Sequence, residues 1–103
     1  MKNPLNAPPK HLSADARRLW ARLCTDFHLD DGAAQALLRA ACEAFDRVEQ
    51  CRKAVAADGA LLTDRFGQKK PHPLLAAERD ARGQLIGALR AMKLAPGDFE
   101  GSE

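Results

Sequence analysis

The side chains able to do chemistry in this sequence are few and scattered. Three histidines, His11, His28 and His72, fall in three different stretches, so no local cluster marks a metal site. Three cysteines, Cys24, Cys42 and Cys51, lack C-x-x-C spacing. They read as free thiols of a reducing cytoplasm, packed as small hydrophobes. There is no H-E-x-x-H pair, and Gly59 and Gly67 are followed by no Lys-Ser/Thr of a phosphate loop. The carboxylates show no pairing at fixed spacing. The expectation is a protein that binds rather than catalyses, with no cofactor and no metal.

Charge placement carries more information than charge total. The 103 residues have a formal net charge of only +2. Residues 1–28 hold five Lys/Arg against two Asp, and residues 59–73 hold three against one, whereas the remaining segments are acidic in balance. Lys10, Arg17, Arg18 and Arg22 in the first basic segment, and Arg65, Lys69 and Lys70 in the second, are the candidate phosphate contacts.

The elements that must position these residues are mostly helical. Met1 to Leu12, with Pro4, Pro8 and Pro9, reads as a flexible arm. Ser13 is a candidate N-cap for a helix to about Phe27. Leu12, Ala16, Leu19, Trp20, Leu23 and Phe27 form its apolar stripe, with Trp20 a core anchor or a platform for stacking on a nucleic-acid base and the arginines mostly off the stripe. After an acidic break, Asp30 or Asp31 caps a long helix from about Gly32 to Asp58, roughly 40 Å in length. Ala34, Leu38, Ala41, Phe45, Val48, Arg52 and Val55 repeat along it at three and four residues, a heptad-like seam. So long a seam in so short a chain predicts partners: a later helix, and the same helix of a neighbouring copy. Leu38, Phe45, Val48, Arg52 and Val55 are the candidate oligomer contacts.

Gly59 stops that helix, and Pro73 opens the last one. Between them, Ala60–Thr63 and Phe66–Lys69 flank Asp64-Arg65 and read as a short β-hairpin or extended connector, with Gly67 supplying positive φ. His72 between two prolines is placed to cap the last helix or to bond across the connector. The last helix runs to about Lys93 on the apolar face Leu74, Ala77, Ala81, Leu85, Ala88, Leu89 and Met92, and residues 95–103 read as an acidic disordered tail. The predicted class is mostly α: one helical domain over 13–94, its long central helix antiparallel to the C-terminal helix. No apolar run is long enough to span a bilayer.

Taken together, the order of Gly59, Asp64, Gly67, Lys69, Lys70, His72 and Pro73 resembles the phage terminase small subunits, in the family of short small subunits of tailed phages and prophages. Leu38, Ala44 and Asp46 on the long helix and Lys93-Leu94-Ala95-Pro96 at the end of the last one match the same pattern. So do the proline-rich start, Trp20 and the acidic break at Asp30. Ala95 departs from the family's terminal motif, and a basic C-terminal extension is absent.

The resemblance implies a ring of several copies that binds double-stranded viral DNA at a packaging site. It also implies presentation of that DNA to a large subunit carrying the ATPase and nuclease, in the cytoplasm of the infected host. Two rivals stay open: a dimeric DNA-binding regulator of phage origin, and a helical-hairpin adaptor without nucleic acid.

Overall fold

The computed structural model describes residues 7–93. Residues 1–6 of the expected arm and all of the expected acidic tail lie outside the described residues. Three helices and one hairpin follow in order: α1 (Ala14–Phe27), α2 (Gly32–Asp58), β1 (Leu61–Thr63), β2 (Lys69–Pro71) and α3 (Leu74–Ala91). This is the mostly helical architecture read from the sequence, with the hairpin joining the two longer helices.

Each helix start has a physical cause. The Ser13 hydroxyl accepts from the Ala16 amide at 3.0 Å, and the Asp31 carboxylate accepts from the Ala34 amide at 2.7 Å. Both satisfy donors that a first turn leaves without helical partners. Between α1 and α2 the chain reverses at His28, which adopts a left-handed φ of 52°. Gly59 ends α2 with φ 92°, a conformation glycine takes without a Cβ penalty.

The core sits where all three helices meet. Leu12, Ala16, Trp20, Leu23 and Leu29 come from α1 and its flanks, and Leu38 and Cys42 from α2. Leu89 and Met92 pack against this cluster from the end of α3. Trp20 is thus the core anchor its place on the stripe predicts. The α1 stripe is buried, or half-buried at Leu19 and Phe27, and its arginines face out. The buried set on α2 is broader than the predicted seam: Ala44, Cys42 and Cys51 join Leu38, Ala41 and Val48. A helix packed against two partners buries more than one stripe.

α3 runs antiparallel to α2. Its start is held at Asp58 through His72, and its end reaches the level of Leu38 and Cys42. α1 lies only against the N-terminal half of α2, so the far half of the molecule is a two-helix stalk capped by the hairpin. The outline is accordingly long, 58 × 30 × 21 Å.

Candidate nucleic-acid interface

The hairpin is built around one carboxylate. Asp64 Oδ1 accepts from the amides of Phe66 at 2.8 Å and Gln68 at 3.0 Å. The Asp64 backbone carbonyl accepts from the Gly67 amide at 3.0 Å, and its amide donates to Gln68 O at 2.8 Å. Gly67 has φ 80°. This is a tight turn closed by a glycine bulge, a frequent way to join antiparallel strands. The register pairs Leu61 with Pro71, Leu62 with Lys70 and Thr63 with Lys69. The second strand therefore begins at Lys69, three residues later than the run Phe66–Lys69 suggested. The Asp-x-x-Gly spacing consumes residues 65–67 in the turn, which strand propensity alone does not reveal.

The base of the hairpin is locked by His72, which is 5% exposed. Its amide donates to Ala60 O at 2.7 Å. Its Nδ1 accepts from the Leu74 amide at 3.0 Å, so the ring proton sits on Nε2 and is donated to Asp58 Oδ2 at 2.9 Å. Pro73 at the cap of α3 has no side chain able to do this. His72 thus fills both roles its sequence position offered: it caps α3 and bonds across the connector.

The cations of the hairpin point outward. Arg65, Lys69 and Lys70 are exposed. Lys70 Nζ is 3.6 Å from Asp64 Oδ2. Lys69 has no carboxylate within ion-pair distance among the described residues. The Arg65 guanidinium lies over the Phe66 ring, 4.9 Å from its centroid. Phe66 itself is 74% exposed.

The second basic group lies on the arm and the outer face of α1. Arg17 donates to the Lys10 carbonyl and so ties the arm to the helix. Arg18 pairs with Asp15 and, more loosely, Arg22 with Asp26 at 4.0 Å. Such exposed pairs contribute little to stability and are readily exchanged for another anion. The start of α1 is fixed on α2 by Asp46, which accepts from both the amide and the hydroxyl of Ser13. Beside it His11 Nε2 bonds Glu43 at 2.7 Å. Arg39, and to a lesser degree His11, hold the Glu43 carboxyl below its ordinary range. His11, Glu43 and Asp46, with Leu12, Arg47 and Gln50, line a shallow polar depression.

The structure does not bring the two basic groups together. Ser13 meets α2 at Asp46, and the hairpin begins beyond Asp58. Twelve residues of helix, about 18 Å, separate the two levels. Of the candidate oligomer contacts, Leu38 and Val48 are buried within the protomer, Phe45 and Val55 are half-buried, and Arg52 is exposed with Glu49 at 3.8 Å.

Three residues that matter here carry no plain signal in the sequence. Phe66 falls in a strand-like run, Asp46 gives no sign of its bond to Ser13, and Gln35, buried, donates to the Leu29 carbonyl at the α1–α2 corner. No residue pattern distinguishes Gln35 from a surface glutamine. No group of three or more His, Cys, Asp or Glu suited to a metal occurs among the described residues.

The fold is a helical hairpin with a shorter third helix and exposed cations at the hairpin and on α1. The family model described as phage terminase, small subunit, matches residues 16–98, and the chain belongs to that family. No curated protein and no solved structure matches the chain. Among the described residues no helix is long and apolar enough to cross a membrane.

Proposed function

We propose that this chain is the DNA-recognition component of a phage or prophage packaging machine. Several copies assemble into a ring, bind double-stranded viral DNA at the packaging site and present it to the large ATPase/nuclease subunit. The subunit modulates that partner in the cytoplasm of the infected cell and has no chemistry of its own. Membership of the small-subunit family is the observation that carries this reading. The exposed cations Lys10, Arg17, Arg18, Arg22, Arg65, Lys69 and Lys70 support it, since ring repetition multiplies a few phosphate contacts into avid, salt-dependent binding. Of the candidate contacts, Arg52 and Val55 on the stalk and Phe45 beside the core have surface left to offer a neighbouring copy.

Light scattering on a sizing column, followed by titration with duplex DNA at two salt concentrations, tests the proposal. A discrete assembly of several chains that binds duplex with steep salt dependence is the expected result. A dimer that binds DNA points to a regulator. An assembly without DNA affinity points to an adaptor.

A further inference from the structure

Resting on the reading of this chain as a duplex-DNA-binding subunit, we infer that the hairpin tip is a wedge. Phe66 enters a base step from the minor groove, while Arg65 and Lys69 take the flanking phosphates. Three observations converge on the tip. First, the largest exposed apolar side chain of the described residues is there: Phe66 is 74% exposed, with Leu61 at 60% on the same ribbon. An aromatic ring exposed at the end of a projecting element is apolar surface available to a partner.

Second, the turn that presents the ring is fixed. Asp64 accepts the Phe66 and Gln68 amides through its side chain, and Gly67 holds the positive φ that closes the bulge. The backbone that carries the ring is therefore set before any partner arrives, which lowers the ordering cost of binding.

Third, the surroundings select an anionic partner. Residues 59–73 hold three Lys/Arg and one Asp, a local net charge of +2 equal to that of the whole chain. The single carboxylate is already occupied by two backbone amides and lies beside Lys70. Arg65 stacks on one face of the Phe66 ring at 4.9 Å. The guanidinium can stay on the ring and reach a phosphate, while the open part of the ring meets a base. Apolar side chains flanked by cations, inserted at a base step, unstack and kink duplexes in this way. Every base offers a π-face, so the contact needs no particular sequence. A protein pocket would suit the bare ring, but it would have to accommodate three exposed cations around it.

The test uses the full chain and a 30-base-pair A·T-rich duplex carrying 2-aminopurine at staggered positions, at low salt. Wild type should bind and raise 2-aminopurine fluorescence through unstacking. Phe66→Ala should abolish that rise and weaken binding about tenfold, with the assembly mass unchanged. Phe66→Trp should restore both. Lys69→Ala should weaken binding and lower the salt slope by about one for each copy engaged on the duplex, with the unstacking signal retained. Wild-type binding that Phe66→Ala leaves intact, with fluorescence unaltered, overturns the wedge and leaves DNA recognition standing. A change of assembly mass in Phe66→Ala without any effect on unstacking overturns it in favour of a contact between copies. No duplex binding by wild type removes the DNA-recognition reading and the wedge with it.

Discussion

Cys42 lies in the core between α1 and α2, and its environment governs its reactivity. Burial first, then the negative charge of Asp46, pushes its thiol up to about 12 from an ordinary 9.0. Cys24, less buried, is raised in the same direction, again chiefly by burial. The thiolate is the reacting form. At pH 8 about one Cys42 in ten thousand would be ionised, so a maleimide should label it only as the protein unfolds. The stability consequence has a definite sign. The folded thiol holds its proton to higher pH than the unfolded one, so stability is intact below pH 9 and falls as pH rises from 9 toward 12. Urea melts at pH 8 and pH 10.5 should show that loss, and Cys42→Ala should reduce it. Placing Cys42 on α2 as a buried thiol was legible from its helical position. Its proximity to Cys24 was not, because that depends on how α1 crosses α2.

At the scale of elements, the helices were readable to within a residue or two because each carries its own signals. Ser13, Asp31 and Gly59 are stop and start residues with local causes, and apolar spacing did the rest. The last helix was less exact. Pro73 serves as its N-cap residue rather than its first turn, and the helix ends at Ala91, with Lys93 in a left-handed conformation. The α1–α2 docking was not legible, because Asp46 and Ser13 are thirty-three positions apart and only the fold makes them partners. For the hairpin, turn chemistry outweighed strand propensity. His72 makes the clearest prediction at this scale. His72→Ala leaves the Leu74 amide without its acceptor and Asp58 without its donor, a loss of about 1–3 kcal/mol. Equilibrium urea unfolding should show it. Amide exchange should quicken at Leu74 and along the hairpin before it quickens at Trp20.

For the whole molecule, the radius of gyration is 16.8 Å, against about 13 Å for a compact domain of this length. The excess comes from the two-helix stalk, where one side of α2 and α3 lacks the cover that α1 gives the other half. Ile86 and Leu75 remain exposed on α3. Stability and assembly should therefore separate by mutation. Leu38→Ala, at a fully buried site, should lower stability by about 2–5 kcal/mol. Val55→Ser together with Arg52→Glu should keep the helical signal and the melting behaviour of the protomer while light scattering records a smaller mass. If the double variant keeps full mass, Arg52 and Val55 are not the proposed contacts between copies. The length of the seam showed in the sequence that α2 needs a partner helix, and α3 is one. It did not reveal which seam residues the protomer itself consumes, because that depends on where α3 begins and ends against α2.

The 2.7 Å bond between the His72 amide and the Ala60 carbonyl brings the two ends of the hairpin together. Everything from Leu61 to Pro71 is thus a closed excursion from the helix pair, leaving and returning at one point. Chain added to such an excursion costs only a slowly growing closure entropy. The ribbon is an exchangeable cartridge: another of different length or tip chemistry can be spliced between Ala60 and His72 while α2 and α3 keep their pairing. Within one scaffold, the outward tip can diversify independently of the parts that hold the protomer together.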